Sequence, residues 1–122
     1  MNRSKFNEIV DERIKLIVTS LTRKGYEYAN NDEVFHNFKN AVGISFTNSP
    51  EKVAWEMMTK HLQSIKDIIE HVSVDGANGY PNNPIIEEKI GDAINYLILI
   101  EGMLKERVTK YENLTKNDES KG

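Results

Sequence analysis

The stretch that most restricts the fold is EEKIGDAINYLILI, residues 87–100. At about 100° per residue, Ile86, Ile90, Ala93, Ile94, Leu97, Ile100 and Leu104 fall on one broad helical face. Glu88, Asp92 and Asn95 lie nearly opposite. A side that met only water would stay polar further along. This one continues into Leu99 and Gly102, flanked by Tyr96 and Ile98. The helix therefore needs cover on two sides. The Ile86–Leu104 face is expected to pack on the other helices. The second side is expected under another helix of the domain or a second subunit. Carboxylates beside buried surface need partners, because an unpaired buried charge is costly. Lys or Arg side chains, a cation or a polar ligand would serve. Gly91 costs about 1 kcal/mol against Ala inside a helix, and points to close approach beside Asp92.

Three other segments carry helical spacing, and none alternates as a strand would. Residues 4–24 repeat Phe6, Val10, Ile14, Ile17 and Leu21 every three or four positions, with Gly25 as a stop. Asn30, Asn31 and Asp32 read as a turn and cap before a short helix through Val34, Phe35, Phe38 and Val42, stopping at Gly43. Ser49 suits an N-cap and Pro50 the first helical position. From there Trp55, Met58, Leu62, Ile65, Ile69 and Val72 form a stripe ending near His71. Residues 73–83, SVDGANGYPNN, read as a loop. Asn83 and Pro84 open the fourth helix as cap and first residue, and it runs to about Tyr111 or beyond. The expectation is an all-α bundle of about four helices, one of them short. It forms a single domain over residues 1–114 with a flexible polar tail at 115–122.

Composition narrows the function classes. At 122 residues, one domain is expected. Sixteen Lys and Arg against 19 Asp and Glu leave a net charge of −3, which argues against bulk nucleic-acid binding. There is no cysteine, which excludes disulfides and thiolate metal sites and fits a reducing cytoplasm. No apolar run approaches the roughly 18 residues of a membrane span, and no signal core opens the chain. Phosphate-binding loops, GxGxxG, HExxH and EF-hand loops are missing, and the three histidines have no zinc spacing.

Polar groups that could converge lie on three segments. Lys60, His61 and Ser64 place a cation, an imidazole and a hydroxyl within one turn, a set suited to a phosphate or the polar edge of a nucleotide. The same residues could equally form a solvated helix face. RKGYEYANND, residues 23–32, gathers Lys24, Glu27 and Tyr28 around a glycine turn. Aromatic rings beside charges can stack a base and hold a phosphate, or simply close the end of a bundle.

Taken in order, RKGYEYANNDEVFHNFKNA, KHLQSI and EEKIGDAINYLILIEGML resemble the small helical proteins of the nucleotide-modification-associated domain family of phages and bacteria. The matching positions are Lys24, Glu27-Tyr28, Asn37-Phe38, Lys60-His61, Glu88, Asp92 and Asn95-Tyr96. The last block is also similar to the acidic helix of MazG-like all-α nucleotide pyrophosphatases, where paired acids hold Mg²⁺. Lys89 stands where those enzymes keep an acid, and Lys60-His61 where a Glu-x-x-Glu would lie.

The resemblance implies a MazG-like bundle and a nucleotide-binding protein of phage or bacterial nucleotide metabolism. Its enzymatic version is a metal-dependent (d)NTP pyrophosphohydrolase. The alternatives are a non-catalytic protein that sequesters a nucleotide, and a small phage protein that binds and inhibits a host protein. The expected ligand is a nucleotide or other small phosphorylated molecule. Lys24, Glu27, Tyr28, Lys60, His61, Ser64, Asn95 and Tyr96 would bind it, with Glu88 and Asp92 for Mg²⁺. The two-sided fourth helix implies a homo-oligomer, with no membrane partner.

Overall fold

The structure is a computed structural model. It describes residues 1–24, 33–72 and 75–121, without the side chains of 23–24 and 118–121. Every described element is helical: α1 (Arg3–Val18), a π-helical turn (Thr19–Lys24), α2 (His36–Val42), α3 (Pro50–His71) and α4 (Asn83–Lys121). The all-α expectation holds.

The helix ends follow local chemistry. Asn2 caps α1, its side chain accepting from the Lys5 amide at 2.8 Å. At the other end of α1, the Thr19 hydroxyl donates to the Lys15 carbonyl and that of Thr22 to the Val18 carbonyl. Such back-bonding competes with the regular ladder, and here it accompanies the change to π geometry. Ser49 caps α3 by accepting from the Lys52 amide at 3.2 Å, with Pro50 next. For α4 the cap is Asn82 rather than Asn83: its side chain accepts from the Ile85 amide at 2.9 Å. The helix then continues to Lys121, through the residues expected to form the polar tail. At 39 residues it is about 58 Å long.

α3 and α4 are antiparallel. Glu51 meets Arg107, His61 meets Asp92, and Ile69 lines a groove with Ile86 and Ile90. Between them lies a small core of Val53, Ala54, Met58, Ala93 and Met103. α2 packs along α3 and reaches α4 with its side chains. Phe38 meets Tyr96 edge-on at 6.2 Å between centroids. Phe35 seats on Gly102, where an added Cβ would stand 2.7 Å from its ring. α1 lies along α4 nearer its start. Arg13 donates to the Glu87 carbonyl at 3.1 Å, and its guanidinium fills the space a Cβ on Gly91 would need. The close approach expected at Gly91 is therefore α1.

One expectation reverses. The Ile86–Leu104 face is not the one most covered by the chain's own helices. Leu97 is 52% exposed and Leu104 50%, with Ile86 exposed as well. Only Ala93 of that face is buried. The side packed under α2 and α3 is the other one, through Asp92, Tyr96, Leu99 and Met103 at spacings of four, three and four. The reason is steric: Gly102 admits a whole ring, and Tyr96 offers a flat surface to two neighbours. The α1 and α3 stripes share this fate. Phe6, Val10 and Ile14 are exposed, as are Trp55, Leu62 and Ile69.

Charge ties the far end of the bundle. Arg107 grips the Glu51 carboxylate with two bonds, and that side chain is only 14% exposed. Lys39 joins Glu33 and Glu106 at 3.1 and 2.7 Å, and Lys110 adds to Glu106. The bond from Arg107 holds the Glu51 carboxyl below the usual 4.5, and the bond from Lys39 does the same to Glu106.

Two outcomes follow. Gly102→Ala should destabilise the fold by about 1–3 kcal/mol despite its gain in helix propensity, because the Phe35 ring must move. Chemical denaturation measures it, and an unchanged midpoint would remove Phe35 from this place. The contribution of Glu51 is present above its ordinary pKa near 4.5 and is lost as pH falls through its lowered value. Glu51→Gln should therefore cost about 1 kcal/mol at pH 7, with a smaller difference from wild type at pH 3. Melting curves at both pH values check this.

Candidate functional site

The polar side of α4, about a quarter of the way along it, meets the middle of α3. His61 Nδ1 lies 3.4 Å from Asp92 Oδ2, within ion-pair reach when the ring is protonated. The same imidazole stacks on Tyr96 at 5.2 Å between centroids and 29° between planes. Phe38 closes the other side of Tyr96. The result is a cluster of three rings with one carboxylate beside them. Helix geometry explains it: Asp92 and Tyr96 are four apart, so one residue of α3 can touch both. Both His61 and Asp92 remain partly accessible.

Burial raises the Tyr96 phenol above its usual 10.0, and the nearby Asp92 charge adds to the effect. The hydroxyl stays protonated through the physiological range and can donate. One residue before it, Asn95 Oδ1 is buried with no hydrogen-bond partner among the described residues. Leaving such an acceptor unmade costs about 1–3 kcal/mol. Buried polar atoms are nearly always paired, so this one is the least expected feature of the cluster.

The other expected site residues divide. Lys60 is exposed and makes no ion pair among the described residues. The Ser64 hydroxyl donates to the Lys60 carbonyl at 3.1 Å and so is spent on its own helix. Glu88 is exposed, one turn before Asp92, with no bond to the described residues. Glu27 and Tyr28 lie outside the described residues, as does the side chain of Lys24. Thus His61, Asp92 and Tyr96 come together, with Asn95 next to Tyr96 along α4, whereas Ser64 does not join them. Phe38 was absent from the expected set. Its signal was present in the Asn37-Phe38 pair, which reads equally well as core.

No family model matches the chain, and no curated protein or solved structure matches it. The site's chemistry must therefore speak through its own groups. Among the described residues, no three His, Asp or Glu side chains gather as a metal cage. Glu88 and Asp92 offer two carboxylates on adjacent turns. Mg²⁺ commonly takes one or two protein carboxylates and fills its octahedron with phosphate oxygens and water. The donor type fits, and most of the coordination shell would be left to a ligand. Among the described residues no helix is long and apolar enough to cross a membrane.

The unpaired acceptor gives a sharp test. Asn95→Leu should leave the ligand-free protein as stable as wild type or more so, by up to about 1 kcal/mol, since it removes an unsatisfied buried atom. A Tm lowered by several degrees would mean that Asn95 is already satisfied within the fold.

Proposed function

We propose that the cluster around His61, Asp92, Asn95 and Tyr96 binds a nucleotide. The observation that carries this reading is Asn95 Oδ1, buried without a partner among the described residues and one position before the Tyr96 ring that stacks on His61. A base supplies what both need: an exocyclic or ring N–H for the amide oxygen, and a π-face for the rings. Stacking of a base on an aromatic side chain contributes about 1–3 kcal/mol. Lys60, one residue from His61, is placed to meet phosphate as a point charge. Glu88 and Asp92 would hold Mg²⁺ carried in with the phosphates. The resemblance to the nucleotide-modification-associated family supports the same class of ligand. The MazG-like form of the bundle, a role in phage nucleotide metabolism and a homo-oligomeric state belong to this proposal.

Binding and turnover separate experimentally. Calorimetry against a panel of (d)NTPs and (d)NMPs, with and without Mg²⁺, should show saturable binding. Asn95→Leu and Tyr96→Leu should each weaken it at least tenfold, about 1.4 kcal/mol. Asp92→Asn should weaken mainly the Mg²⁺-dependent part. Release of pyrophosphate in the same samples would make the protein a pyrophosphohydrolase, and binding without product would make it a sequestering protein. Heat signals absent for every nucleotide, from a folded sample, would end the nucleotide reading.

A further inference from the structure

Three helices turn apolar stripes outward on one side of this molecule. On α4 the stripe runs from Ile86 to Tyr111: Ile86, Leu97, Leu104, Val108 and Tyr111 fall within about 40° of one line, and all are exposed. Its start is flanked by two grooves that share Ile86 and Ile90. One, of about 900 Å³, is walled by α1 through Phe6, Val10 and Ile14. The other, of about 510 Å³, is walled by α3 through Ile65, Ile69 and Val72. The two grooves and the ridge between them make one continuous apolar trough. α2 and the His61–Asp92–Tyr96 cluster lie on the other side of α4. Among the described helices, none lies over this side of α1, α3 and α4, and an apolar helix face needs a second layer to bury it.

The area says how much is missing. The chain exposes 9521 Å². A compact monomer of 14.0 kDa would expose about 6,700 Å². Part of the excess of roughly 2,800 Å² is the length of α4 itself. A standard stable interface removes about 800 Å² from each partner, which is well within that excess.

We infer that the trough takes a second copy of this chain, in a two-fold dimer whose α4 helices cross near Leu97 and Leu104. A second copy fits for three reasons. A closed two-fold contact needs a self-complementary patch, and a ridge between two grooves meets that need when each ridge enters a groove of the other copy. Leu97 and Leu104 lie near the middle of the stripe, so an antiparallel crossing there covers both halves of both helices. A membrane surface is a poor occupant, because a helix that lies on one carries Lys and Arg on its polar face, whereas this chain is acidic at −3. The pairing leaves both ring clusters facing outward, so each copy keeps its own site. The inference rests on the homo-oligomeric part of the proposed function and not on its nucleotide part: a monomer that still binds nucleotide would sink the dimer alone.

Sedimentation of the full chain from 1 to 100 µM tests it. The expected species has twice the 14.0 kDa of one chain, and a monomer throughout, or a trimer or larger closed form, would overturn the two-fold dimer. Leu97→Glu with Leu104→Glu should raise the dimer dissociation constant at least a hundredfold while the helical circular dichroism persists. A folded double variant that remains a dimer would overturn this face. Should that variant unfold, the natural lack of cysteine allows a milder probe. The thiol of Leu97→Cys should alkylate at least tenfold more slowly in concentrated than in dilute protein. That of Glu56→Cys, exposed on the far side of α3, should react at one rate in both. Equal rates for the two positions would also overturn the proposal.

Discussion

Everything else in this protein depends on the antiparallel contact between α3 and α4. It buries Met58 and Met103 almost completely and brings His61 onto Asp92 and Tyr96. α2 has only seven residues, too few to be stable alone. It is held because it packs along α3, because Phe35 and Phe38 find Gly102 and Tyr96 on α4, and because Lys39 reaches Glu106. α1 is held more lightly, by Arg13 over Gly91 and an open apolar groove. The order of dependence runs from the α3–α4 pair to α2, and the site is assembled by the first two of these contacts.

The site uses residues that also pack. Tyr96 is at once the platform for α2, the stacking partner of His61 and a phenol kept protonated by burial. Asn95 is the exception, since its buried oxygen has no hydrogen-bond partner among the described residues. A side chain that weakens the fold without helping it is where a binding role is most economically sought. Asp92 is shared between roles in another way. Its contact with His61 compensates a charge that a half-buried carboxylate would otherwise carry alone. A ligand or cation arriving at Asp92 would have to replace His61 or add to it.

Much of the fold was legible in the sequence, for local reasons. The Ser49-Pro50 start, the Gly43 stop and the end of α3 at His71 are chemistry within a few residues, and the structure keeps all three. The cap of α4 slipped by one residue because Asn82 and Asn83 are both competent and only backbone geometry selects between them. Of the site, the residue types and the Asp92–Tyr96 side of α4 could be read, because helix spacing fixes which side chains share a face. That His61 rather than Lys60 would meet them could not. The two are neighbours in sequence, and a shift of 100° in the roll of α3 exchanges them. Phe38 was hidden because an aromatic residue on a short apolar helix looks the same whether it walls a core or a site.

The instructive failure is the choice of face on α4. Hydropathy identified two sides that need cover and assigned the more apolar one to the chain's own helices. The structure gives that side to the outside and packs the mixed side instead. Periodicity records that a surface will be removed from water, but not by what. A helix interior to one chain and a helix interior to a dimer carry the same pattern, because burial contributes about 25 cal/mol per Å² whichever molecule supplies the cover. What separates the two is steric fit along the other side. Gly91 and Gly102, two residues without a Cβ, mark where Arg13 and Phe35 come close. Leu97, Leu104, Val108 and Tyr111 of α4 are then left exposed. On this helix, the small residues reported where the chain meets itself, and the large ones where it ends.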